Sequence, residues 1–102
     1  MKCQYVVRAS VPRNLESEWI TWMREVHIPK LTALPWFNGA QFYKNVSADN
    51  SFSAYIILYE PKSRNDLAAY LESKECRALR AENDERYGGK VILTREIWHE
   101  EE

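Results

Sequence analysis

One histidine in this chain sits where a proton could be moved. His27 closes the stretch EWITWMREVHIP (18–29), which also carries two tryptophans and a proline. An imidazole titrates near neutrality, so it can act as general acid or base at working pH. Two roles are open to it. It can face a cavity between its helix and a sheet, or it can cap the helix and bond a nearby carbonyl. Arg8 and Arg95 form a second constellation: on neighbouring strands, with Tyr55 or Tyr59 close by, two guanidinium groups would suit a carboxylate or phenolate. The alternative is that one of them pairs with Glu60 or Glu96 across the sheet or a dimer interface. In the catalytic arrangement His27 moves a proton, Tyr59 bonds the reacting oxygen and Arg95 steadies developing negative charge. Arg8, Trp22, Trp36, Tyr43 and Tyr55 are then the ligand-binding candidates, with Trp36 and Phe37 as a lid or wall on a loop. Tyr43, Tyr55 and Tyr59 serve equally as the core of a dimer interface, and Trp36 as a plain loop anchor.

Other chemistries find little support. His27 and His99 lie far apart and no paired ligand spacing occurs, so no metal site is expected. Neither a P-loop nor a dinucleotide fingerprint is present, and no cofactor is expected. Fourteen Lys and Arg against fifteen Asp and Glu give a net charge of −1, without the basic excess that attracts nucleic acid or anionic membranes. Cys3 and Cys76 form no disulfide framework and read as reduced thiols, Cys76 buried and inert, in a cytoplasmic protein. The opening MKCQYVVRAS is interrupted by Gln4 and Arg8, too soon for a signal core or a membrane span. A chain of 102 residues fits one domain, 1–102. Four tryptophans and six tyrosines are a heavy aromatic load at this size, and such rings line cores, interfaces or pockets.

The elements that must position these groups follow from periodicity. Residues 2–11 alternate as a strand that Pro12 ends. Asn14 is the predicted cap of helix one, with Glu16 and Glu18 in its first turn and Leu15, Trp19, Trp22, Met23 and Val26 on its inner face. The helix is predicted to stop at His27 or Ile28 because Pro29 disfavours helical geometry before it. Residues 30–37 are an irregular or briefly helical connection. A second strand covers 40–46, a polar turn 47–51, and a third strand 52–60 that is apolar on both sides. Ser63 and Asp66 have capping-box spacing for helix two, whose apolar stripe slips phase around 73–75 and resumes as Cys76, Leu79, Asn83 and Tyr87. Gly88 and Gly89 end it. The last strand spans 90–99, and an acidic tail, 100–102, frays.

Strand, helix, strand, strand, helix, strand is the order of the α+β ferredoxin-like βαββαβ fold: a four-stranded antiparallel sheet with two helices on one face and the first and third strands central. A third strand apolar on both sides needs a cover on its second face, and a second copy of the chain supplies it most simply. The pairs Glu18-Trp19, Trp22-Met23, His27-Ile28-Pro29 and Tyr59-Glu60, with Tyr70-Leu71, Leu79-Arg80-Ala81, Arg86-Tyr87-Gly88-Gly89-Lys90 and Arg95, resemble the DUF4286 group of the dimeric α+β barrel superfamily. Pro35-Trp36 and Asn83-Asp84 depart from that pattern, the latter where relatives often place a histidine. The resemblance implies the fold and a homodimer through the open sheet face. Related branches include cofactor-free monooxygenases, cyclases and isomerases. The expected function is a cavity for a small hydrophobic or aromatic molecule, with cofactor-independent chemistry. The alternative is a ligand-binding or structural dimer without chemistry. A haem-degrading barrel would need an axial histidine where Asn83 and Asp84 stand.

Overall fold

The third strand, apolar along both edges of its pleat, decides the layering. In the computed structural model, which describes residues 2–47 and 51–101, it is β3 (Phe52–Pro61) and lies inside a four-stranded antiparallel sheet. Its neighbours are β1 (Cys3–Pro12) and β2 (Phe37–Lys44), with β4 (Ile92–His99) beyond β1, giving the order β2-β3-β1-β4. The predicted ferredoxin-like arrangement is therefore present, with β1 and β3 central. Much of the predicted polar turn 47–51 lies outside the described residues.

Register sorts the side chains. Tyr5, Val7 and Ala9 stand opposite Tyr59, Ile57 and Tyr55, and all six are buried under the helices. Leu58, Ile56 and Ala54 point the other way and are half-buried on a face that no helix covers. Tyr43 pairs with Ile56 and shares that open face, 51% exposed. Tyr55 and Tyr59 thus belong to the core and not to an interface through the open face, a correction to the reading of the three tyrosines as one set.

The first helical segment differs from its prediction in a way that matters for the site. It runs continuously over 16–32: α1 (Glu16–Trp22), a π-helical turn (Met23–His27) and α2 (Ile28–Thr32). Asn14 does not cap it. The chain enters through a 3-10 turn, Arg13–Leu15, without a side-chain cap bond. Pro29 does not stop it either. Proline lacks an N–H and its ring collides with the carbonyl four residues back, but the preceding turn is widened, with the Ile28 N–H bonded five residues back to the Met23 carbonyl. The helix passes through its proline as a result.

Helix two divides as the phase slip indicates, into α3 (Arg64–Glu72) and α4 (Lys74–Tyr87). The Ser73 hydroxyl makes the joint, accepting from the Cys76 N–H at 3.0 Å and donating to the Tyr70 carbonyl at 2.6 Å. Ser63 caps α3, accepting from the Asp66 N–H at 3.0 Å. At the end of α4 a Cβ on Gly88 would lie 2.4 Å from the Asp84 carbonyl oxygen, and Gly89 has φ +80°, so both glycines are required by the turn into β4.

Trp19 fastens the helical layer to the sheet. It is fully buried, stacked on Tyr55 with ring centroids 5.1 Å apart and planes 5° apart, and edge-on to Phe42 at 5.7 Å. Trp19→Ala is expected to lower unfolding free energy by about 3–5 kcal/mol in urea titrations, whereas a loss below about 1 kcal/mol would deny it that role.

Candidate functional site

The inner stripe of the first helical segment is Trp19, Met23, His27 and Leu31, all buried. Each step is four residues, and a regular α-helix would carry such a stripe sideways by about 40° per step. The π-helical turn at Met23–His27 absorbs that drift and keeps His27 facing the sheet. Val26, expected on the inner face, is only partly buried. His27 therefore does not cap a helix end, and the reading in which it faces a cavity is the one the backbone realises.

The cavity lies between this stripe, the sheet and α4. Its volume is about 20 Å³, room for one water. Three residues singled out for catalysis, His27, Tyr59 and Arg95, line it together. Four that sequence reasoning assigned no site role join them: Tyr5, Tyr70, Arg80 and Asn83. The polar atoms His27 Nδ1, Arg80 Nε and Asn83 Oδ1 are buried without a partner. These three residues line the same small space, which is large enough for one hydrogen-bonding group. Arg80 also donates from Nη2 to the Tyr5 hydroxyl at 3.1 Å.

Electrostatics sets the protonation states. Burial pulls His27 down from 6.5 to about 4, with Glu82 opposing and the positive charges of Arg95 and Lys30 assisting. It is thus neutral near pH 7, not poised there as its residue type suggests. Glu82 is held by Lys30 at 3.0 Å. Burial pushes Tyr59 and Tyr70 up, so both remain phenols.

The other candidates separate. Arg8 and Arg95 do not converge, because Val7, not Arg8, stands opposite Arg95, and Arg8 faces the open side beside Thr94. A shift of one residue in strand parity decides this. Arg8 instead pairs with Glu96 at 3.2 Å, the alternative raised for it. Arg8 and Tyr43 border a broad groove of about 450 Å³ on the open face, remote from His27. Tyr55 spends its ring on Trp19 and its hydroxyl on Glu16, which also receives Lys44 at 2.9 Å. These bonds, Tyr55 first and then Lys44, hold Glu16 down at about 2. Trp22 backs the site and does not line it: its ring lies 4.9 Å from His27 and 5.4 Å from Tyr87, with the Arg86 guanidinium 5.5 Å above. Trp36 packs on Tyr70 at 6.2 Å and is half-buried, a wall behind the cavity wall. The signal that could have revealed Arg80 and Asn83 was an asparagine in the apolar stripe of α4 with an arginine one turn before it.

Among the described residues no group of His, Cys, Asp and Glu could hold a metal ion, and no helix is long and apolar enough to cross a membrane. The family model described as a domain of unknown function (DUF4286) matches residues 2–100. The chain belongs to the DUF4286 family. No curated protein matches it. Solved structures similar to this DUF4286 chain include an ethyl tert-butyl ether D (EthD) family protein from Bacillus halodurans, with TM-score 0.71, 13% identity and coverage of 99% of this chain and 100% of that one. A putative antibiotic biosynthesis monooxygenase from Nitrosomonas europaea has TM-score 0.66 and 16% identity over 97% and 89% of the two chains. SnoaB, a cofactor-independent oxygenase from Streptomyces nogalater, has TM-score 0.64 and 13% identity over 99% and 94%. At such identities the shared property is the fold.

The depressed His27 gives this DUF4286 protein a specific acid response. The unfolded chain takes up its proton near 6.5 and the folded chain only near 4, so the unfolded state binds more protons between them and stability falls as pH drops through that window. The expected loss is about 3 kcal/mol. Urea unfolding at stepped pH should show it in the wild type and lose it in His27→Gln; equal slopes in the two would refute it.

Proposed function

We propose that the His27 cavity binds the polar end of a small organic molecule and that the protein is a cofactor-independent enzyme whose common step is proton abstraction. The observation that carries the reading is the meeting of His27, Tyr59 and Arg95 in one cavity with the imidazole Nδ1 unpartnered. A neutral imidazole accepts the proton, the Tyr59 phenol bonds the oxygen on which charge develops, and Arg95 at the exposed mouth opposes that charge. The base is weak at a value of about 4 and strengthens when a negatively charged oxygen lies beside it. Oxygenation, cyclisation and isomerisation can each follow from the carbanion so formed. The likeness in fold to SnoaB, named as a cofactor-independent oxygenase, supports this class.

One observation favours a second reading, binding without turnover. The cavity takes a single water-sized group, so a whole substrate does not enter it. The readings part in deuterium exchange: a panel of enolisable ketones and hydroxyaromatics in D₂O, followed by proton NMR. Proton abstraction predicts catalysed exchange for at least one class, with His27→Asn slower by about 100-fold or more. Thermal stabilisation by a compound whose C–H does not exchange favours the second reading.

We also infer a homodimer of chains whose residues 1–102 act as one domain, its sheets meeting through the open face. Support comes from the half-buried Ala54, Ile56 and Leu58 and from exposed rings and branches at Tyr43, Ile92 (62%) and Trp98 (54%) on that face. The free, buried Cys3 and Cys76 suit a reducing cytoplasmic setting. Light scattering should return twice the chain mass at micromolar concentration, and Ile92→Asp with Trp98→Glu should return the single chain; a wild-type monomer would end the proposal.

A further inference from the structure

Two guanidinium groups line the His27 cavity and no carboxylate does. Arg80 comes from α4 and Arg95 from β4, so the two charges stand on different walls of one space. The carboxylate whose charge reaches His27, Glu82, lies outside the cavity lining and gives Oε2 to Lys30, while its Oε1 is buried without a partner. No ion pair among the described residues involves Arg80 or Arg95. Arg80 spends Nη2 on the Tyr5 hydroxyl, while its Nε is buried and unpartnered. A buried donor on a cation, without an acceptor, is satisfied best by an anion. His27 is neutral and brings no compensating charge of either sign.

Size and surroundings narrow the anion. The space of about 20 Å³ admits one oxygen-sized group, which suits a flat carboxylate better than a tetrahedral phosphate or sulfonate. The rest of the molecule has to lie outside. Leu93 and Ile97 flank Arg95 on the same side of β4, because they stand opposite Ala9 and Tyr5 as Arg95 stands opposite Val7. Ile97 is 51% exposed on the side where the sheet is otherwise covered by helices, an apolar shelf beside the cavity mouth.

We propose that the ligand is an amphipathic organic acid, an aryl or alkyl carboxylate, with its carboxylate between Arg80 and Arg95 and its apolar body on Leu93 and Ile97. The proposal rests on the reading of this cavity as a ligand site and names the class of molecule it takes. Arg80 acts as the anchor: its buried Nε donates to one carboxylate oxygen while Nη2 stays on the Tyr5 hydroxyl. Arg95, exposed at the mouth, draws the acid in and selects against neutral analogues.

The chain has two histidines, His27 and His99, so their ring protons report separately in an NMR titration. Benzoate, phenylacetate and 3-phenylpropanoate are added to the wild-type protein, each against its primary amide. At least one acid is expected to shift His27 and leave His99 in place, to bind about tenfold or more tightly than its amide, and to weaken with added salt. Arg80→Gln and Arg95→Gln should each weaken that acid by about tenfold, and Arg77→Gln, on the outer side of α4, should not. An amide that binds as tightly as its acid overturns the anion and leaves the ligand cavity standing. A panel in which no member moves His27 overturns both. The acid–amide comparison is made in the wild type, so it decides the matter even if an arginine variant fails to fold.

Discussion

The stack of Trp19 on Tyr55 is the contact on which the remaining structure depends. It joins the first helical segment to the central strand β3, and both rings are buried beneath that layer. Two near-parallel aromatic faces contribute through area and through ring geometry. The Tyr55 hydroxyl then donates to Glu16 at the start of α1, and Lys44 reaches the same carboxylate from β2. One tyrosine thereby fixes both the depth and the axial position of the helix over the sheet. Every residue further along the helix, His27 included, inherits its position from that anchor.

Beyond the anchor the architecture rests on rules that are local and repetitive. Strand alternation, a serine cap at Ser63, a joint at Ser73 and two glycines after Tyr87 each act within a few residues, and all were legible in the sequence. So was the burial of Trp19, Trp22 and Met23. The site was legible only in part. His27, Tyr59 and Arg95 were recognised one by one, but their meeting depends on which parity of β4 faces the helices, and apolar residues stand at both parities: Leu93 and Ile97 on one, Ile92 and Trp98 on the other. Alternation cannot choose between faces that are both apolar. The same ambiguity produced the pairing of Arg8 with Arg95, which the register separates. Arg80 and Asn83 were missed for another reason. In a helix a polar residue within an apolar stripe reads as a concession to packing, and only the strands opposite reveal that it lines a space.

The electrostatics of the cavity is a consequence of the fold as much as of its residues. A charged imidazole at the His27 position would be favoured by Glu82 and opposed by Arg95 and Lys30, and burial, the largest effect, makes it unfavourable. The neutral ring is left with an unpartnered nitrogen, and Trp22 holds its plane from behind. Rigid backing, an unfilled hydrogen bond and excess positive charge occur together in this part of the molecule.

The π-helical turn has a meaning for how the chain can vary. A turn closed five residues back holds one residue more than a turn closed four back. Deleting any one residue between Met23 and His27 would close that turn four residues back and leave the helix beyond it facing much the same way. Pro29 would then meet the carbonyl of an ordinary preceding turn, and the helix would kink or stop there. The extra residue and the proline are thus a matched pair, and descent can remove the widened turn only by exchanging Pro29 with it.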